Sequence, residues 1–212
     1  GGGAPLCDFP GDQWGTGEWA TLKKSFSACA RMTLKATDVP ILNDNASVTK
    51  SFVGCSRLSS KAESGDFSNW DVSMIDSMNG MFASANMRNA DLSNWDVSNV
   101  KDMSDMFSLA QFSEKSIGME EWDVSNVESM SGMFSESFNF NQDISNWDVG
   151  NVRDMGLMFF KVFDFNQDLS MWDVSSLRYA GGMFYSCNKF NSDLSNWDVS
   201  EVFVMNSMFE NT

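Results

Sequence analysis

The sequence predicts an α/β repeat solenoid: about eight strand–short-helix units of about 25 residues, with a parallel sheet on one face. Three observations predict it. Trp70, Trp95, Trp122, Trp147, Trp172 and Trp197 are spaced 25, 27, 25, 25 and 25 residues apart, and each opens a Trp-Asp-Val triplet. Twelve residues after each stands a phenylalanine preceded by methionine: Phe82, Phe107, Phe134, Phe159, Phe184 and Phe209. Within one unit the apolar period changes from strand-like to helix-like. A single unit of this size cannot bury its own apolar face, so the copies are expected to stack into one continuous core.

Residues 1–13 read as a lead-in and 14–66 as two degenerate units. Phe26 and Phe52 hold the phenylalanine position there. Counting back twelve from Phe26 reaches Trp14, while the same count from Phe52 reaches Pro40, so that unit lacks its tryptophan. Irregular end units are what a capped array needs. Residues 67–212 carry the regular copies. The last stops three residues past Phe209, at Thr212, so further repeats or a partner are expected over that end.

Inside a unit, Ile144, Trp147, Val149 and Val152 follow the L-x-x-L-x-L layout of the strand-bearing half of a leucine-rich repeat. Trp and Val then face inward and the residue between them faces out. Val100, Met103, Met106, Phe107 and Ala110 share one face of a short helix. Ser98 stands where its N-cap belongs, Ser125 with Glu128 fits a capping box, Ser73 with Asp76 resembles one, and Gly150 is an acceptable cap. A polar turn such as Asn139 to Asp143 returns the chain to the next strand.

Composition narrows the function. The chain has 29 acidic and 14 basic residues, a formal charge of −15, which repels nucleic-acid phosphates and anionic headgroups. It has no histidine, the commonest general base and metal ligand. It has no apolar run of about 18 residues, so no transmembrane segment is expected. The opening Gly1 to Pro5 does not read as a signal peptide.

The candidate partner-binding face is the outward row of the predicted strands: Asp71, Asp96, Asp123, Asp148, Asp173 and Asp198, flanked by Asn69, Asn94, Glu121, Asn146, Met171 and Asn196. Each Asp either makes an Asx-type bond to nearby backbone N–H groups or joins a strip that binds a partner or a cation. No cofactor is expected; the cation such a row of oxygens would suit is Ca²⁺. Glu121 and Met171 interrupt the asparagines, as a contact surface or as drift. The six tryptophans and six phenylalanines are read as core, against an outward sugar platform for the indoles. The methionines, Met103 and Met106 among them, are read as core fillers rather than copper ligands. Cys29 and Cys55 are each three residues after their unit's Phe, so they are either bridged neighbours or small buried thiols. Cys7 has no assignment, Cys187 has no such neighbour, and Asn45-Ala46-Ser47 is a glycosylation sequon.

At the level of W-D-V-S-N-V-x-x-M-x-x-M-F and F-N-Q-D-I-S-N-W, the sequence resembles the BspA-like leucine-rich-repeat surface proteins, whose repeat is of mycoplasma-lipoprotein type. Phe140 to Phe159 and Phe165 to Trp172 match best, and the segments Trp14 to Trp19 and Ala36 to Pro40 resemble lead-ins of such proteins. The resemblance covers residues 14–212. It implies a secreted or surface-attached, adhesive protein with no catalytic residues to carry over. Trp for the central Leu, and Val in place of the inward Asn, depart from an ordinary leucine-rich repeat.

The expected function is non-catalytic recognition of a protein or glycan, outside the cell or at its surface. The alternative is a structural accessory subunit that docks into a larger assembly through its open end and residues such as Phe160 and Phe203. A repeated Asp row offers no singular acid–base pair, so no enzyme is expected.

Overall fold

The computed structural model describes residues 13–30, 32, 38–56, 58 and 67–212. Among these residues there is no helix, and the named strands are β1 (Glu18–Thr21) and β2 (Ile41–Ser47), paired in parallel in a two-stranded sheet. Both strands lie in the degenerate N-terminal units. The expected strand–short-helix solenoid of leucine-rich-repeat type is therefore corrected. The regular copies are helix-free coils made of tight turns, stacked on one another.

Each coil meets the next through isolated parallel bridges: Ser77 to Asp102, Asp102 to Ser129, Ser129 to Asp154, Asp154 to Tyr179, and Tyr179 to Val204. Beside this row, the N–H groups of Met103, Asp105, Phe107 and Leu109 donate to the carbonyls of Ser129, Ser131, Met133 and Ser135 at 2.7–2.9 Å. The intervening N–H groups of Met106, Ser108 and Ala110 close turns on Met103, Asp105 and Phe107. Alternate donors thus point along the stack. A helix would send every one of them back four residues in its own segment.

That alternation needs left-handed residues, and each regular coil has two, four apart: Asp105 and Leu109, Gly132 and Glu136, Leu157 and Lys161, Gly182 and Ser186. A non-glycine residue in this conformation costs about 1–2 kcal/mol, offset here by the ladder bonds to the next coil. The spacing of Val100, Met103, Met106, Phe107 and Ala110 fits this turning path as well as it fits a helix. Ser98, expected as a helix cap, instead closes a turn with Asp96.

The Trp-Asp-Val segment is also made of turns. The Trp147 N–H bonds to the Ile144 carbonyl at 3.2 Å and the Val152 N–H to Val149 at 2.9 Å. Side chains replace the missing ladder. Indole Nε1 of Trp95, Trp122, Trp147, Trp172 and Trp197 donates to the preceding coil's carbonyl at Phe67, Leu92, Met119, Ile144 and Leu169, at 2.7–3.2 Å. Leucine has no donor for this bond, which gives tryptophan a physical reason to hold the position.

All six of these Trp-Asp-Val tryptophans are buried, at 9% exposure or less. Phe26, Phe52, Phe82, Phe107, Phe134, Phe159, Phe184 and Phe209 form one column of stacked rings with centroids 5.3–5.8 Å apart. Met103 and Met106 are fully buried beside it. Phe209, read as core, is half exposed: it stacks on Phe184 by one face, and the other looks off the last coil.

The position three residues after the Phe carries a small donor in several coils, and Ala85, Ala110 or Val162 in others. Cys55 Sγ, Ser137 Oγ, Cys187 Sγ and Thr212 Oγ1 donate to the preceding coil's carbonyl at Phe26, Phe107, Phe159 and Phe184. Thiol and hydroxyl do the same work there. This corrects the candidate Cys29–Cys55 bridge, because the Cys55 thiol is free and turned to the Phe26 carbonyl. Cys29 is disulfide-bonded. Burial pushes the Cys55 and Cys187 thiols up to about 12. Cys7 and the side chain of Asn45 lie outside the described residues.

Candidate functional site

The twelve residues of the proposed contact face, from Asn69 and Asp71 to Asn196 and Asp198, are all exposed, Met171 at 85%. Their acids are tied to the backbone. Oδ1 of Asp71, Asp96, Asp123, Asp148, Asp173 and Asp198 accepts the N–H two residues on, at 3.0–3.1 Å. Each acid therefore closes its own coil corner with one oxygen. The Ser98 hydroxyl and N–H hold the Asp96 carboxyl below the usual range, and the Ser175 N–H and hydroxyl do so at Asp173, against repulsion from Asp198. Among the described residues no three acids, cysteines or histidines gather as a metal site.

A second row of corner acids includes Asp143, which the sequence places in a polar turn. Asp91, Asp143, Asp168 and Asp193 accept the N–H of Ser93, Ser145, Ser170 and Ser195 at 2.9–3.1 Å. The signal was present: Asp-x-Ser stands five residues before the Asp of the first row in every regular unit except that of Asp123, which has Gly118-Met119-Glu120 there.

What breaks the regularity is the coil between Trp95 and Trp122, which is two residues longer than the others. Its extra length lies in the segment 113–118, and side chains pin it. Gln142, itself buried, accepts the Ile117 N–H through Oε1 at 3.1 Å and donates through Nε2 to the Lys115 carbonyl at 2.9 Å. The Ser113 hydroxyl donates to the Arg88 carbonyl at 2.7 Å, and Ser116 Oγ both donates to Glu120 and accepts the Gly118 N–H. Gly118 has φ +84, and a Cβ there would lie 2.6 Å from Ser93 Cα.

This insertion forms a wall between two grooves. One, of about 760 Å³, is lined by Arg88, Ser113, Asn139, Asn141, Asn166 and Lys189 among others, and so crosses five successive coils. The other, of about 360 Å³, reaches Glu121 and Asn146 of the expected face. The rest of that face touches neither. The larger groove was missed in the sequence, although the single spacing of 27 marked its position.

A third cavity, of about 490 Å³, is apolar and opens on the last coil between Trp197, Val199, Met205 and Phe209. Among the described residues no helix is long and apolar enough to cross a membrane.

No curated protein and no solved structure matches the chain. One family model does, twice, over residues 20–118 and 109–212, which together take in all the regular coils and most of the N-terminal units. The chain belongs to the family described as "Mycoplasma protein of unknown function, DUF285".

Proposed function

We propose that the chain is a non-catalytic recognition scaffold of an extracellular or cell-surface protein, a BspA-like adhesive module that binds a protein or glycan beside its inserted coil. The observation that carries this reading is the 760 Å³ groove, a volume in the range of small-ligand and oligomer sites. It lies where the repeat departs from its own period, on a stack otherwise braced internally coil by coil. The disulfide at Cys29 fits an oxidising compartment, as such a location requires.

The test is solid-phase binding of the whole chain to arrays of immobilised glycans and of extracellular-matrix proteins, beside the groove variant Arg88→Glu. Arg88 is exposed and has no salt bridge among the described residues, so its reversal is expected to leave the melting temperature unchanged. The reading predicts retention on one array and at least a tenfold loss in the variant. No retention on either array, or retention indifferent to Arg88, would contradict it.

A further inference from the structure

We infer that the large groove beside the inserted coil binds a linear, uncharged, β-linked glycan laid along the stack axis. The inference rests on the recognition reading above and names the ligand class of that site.

The first observation is direction. The groove runs from Arg88 to Lys189 across five coils, each about 4.8 Å from the next. One coil height is close to the length of one β-linked pyranose unit, so a straight oligosaccharide would meet equivalent positions of successive coils in step.

The second is hydrogen-bonding polarity. The Asn166 N–H donates to Oδ1 of Asn141 at 2.8 Å, and the Asn191 N–H donates to Oδ1 of Asn166 at 2.9 Å. Both side-chain carbonyls are therefore used in joining coils. The Nδ2 groups of Asn141 and Asn166 have no acceptor among the described residues, so each exposed amide offers the groove donors at one-coil intervals. Hydroxyl and ring oxygens accept such donors. The carboxylates of Glu114 and Asp164 also border the groove and can accept from sugar hydroxyls.

The third is what the groove disfavours. Glu114 and Asp164 balance Arg88 and Lys189, and Lys189 is paired to Asp164 at 2.6 Å, so a polyanion gains no net attraction in a chain of charge −15. The ladder bonds of the coils run along the stack, so the groove wall offers no open strand edge for an extended peptide to join. The lining is too polar for the apolar face of a helix.

The fourth is an aromatic pair. Phe138 and Phe163, exposed and next in sequence to the lining residues Asn139 and Asp164, stack at 5.2 Å and 6°. The equivalent residues one coil before and one coil after are Gln111 and Asn188, so no third ring continues the stack at either end and a sugar's C–H surface can take its place.

The experiment is calorimetric titration of the whole chain with β-1,4-linked oligomers of glucose and of N-acetylglucosamine, from dimer to hexamer. One series is expected to bind one-to-one, tightening with length until the groove is filled and then levelling. The double variant Asn141→Asp/Asn166→Asp keeps both coil-bracing acceptors and replaces only the outward amide donors. It should lose at least tenfold in affinity at an unchanged melting temperature. Failure of both hexamers to bind, or binding indifferent to the double variant, would overturn the inference. Retention on the protein array alone would overturn it too, while leaving the recognition reading standing.

Discussion

Replacing Phe134 with alanine is expected to lower the free energy of unfolding by about 3–5 kcal/mol, the range for deleting a buried phenylalanine ring. The ring is fully buried and sits at the middle of the Phe column. Phe107 lies on one side and Phe159 on the other, each 5.8 Å away and within 9° of parallel, with Phe140 at 3.8 Å. Neighbouring coils are held in register by such contacts, by the ladder bonds and by side-chain bonds such as those of the indoles, so they cannot close over the gap without breaking that register. Urea denaturation measures the loss. Phe138→Ala is the internal comparison: its ring is 46% exposed and stacks on Phe163, and its loss should cost about 1 kcal/mol. Equal losses in the two variants would show that the Phe column does not carry the core.

Gly118→Ala is expected to cost about 3 kcal/mol or more, from a left-handed backbone and a forced contact acting together. The added Cβ would stand 2.5 Å from Ser93 Cβ, 2.6 Å from its Cα and 2.7 Å from its N. Backbone on both sides must move, and the inserted segment moves with it. Gly80 has φ +60, yet its added Cβ would meet only Lys50, 2.9 Å from the Cγ of a flexible chain. Asp105, Leu157 and Ser207 occupy the equivalent position in other coils with the same sign of φ. Gly80→Ala should therefore cost about 1 kcal/mol. In hydrogen exchange, the Ile117 amide should lose protection in Gly118→Ala and keep it in Gly80→Ala. The reverse order of the two variants would contradict the placement of the insertion against Ser93.

The period of the chain and the identity of its inward residues were legible in the sequence, because both depend on spacing alone. Trp147, Val149, Met158 and Phe159 recur at the same offsets in every regular copy, and Met155 in all but the one that has Ala180 there. These five are buried, while Val199, Met205 and Phe209 of the last copy are exposed. The path between them was not legible from apolar spacing. A segment such as Val100 to Ala110 puts the same side chains inward whether its amides bond back within the segment or onward to the next coil. Glycine was the neglected clue: Gly80, Gly132 and Gly182 each stand two residues before a column Phe, and three such residues inside helices would each cost about 1 kcal/mol.

The acids show a similar gap. The Asp between Trp and Val lies on the surface, and the N–H of its Ser or Gly partner two residues on donates to its Oδ1. The groove escaped notice because its lining comes from five different copies, which only stacking brings together. Its one local trace was the longer spacing before Trp122.

The central claim is that alternate amides of each coil bond to the next coil rather than back along their own segment. Scalar couplings across hydrogen bonds, measured by NMR on the isotope-labelled chain, read this directly. The account predicts couplings from the Phe107 amide to the Met133 carbonyl and from the Phe134 amide to Met158, the bonds seen at 2.9 and 3.0 Å. Couplings from Phe107 to Met103 and from Phe134 to Met130, four residues back, would mean that these segments are helices after all and would contradict it.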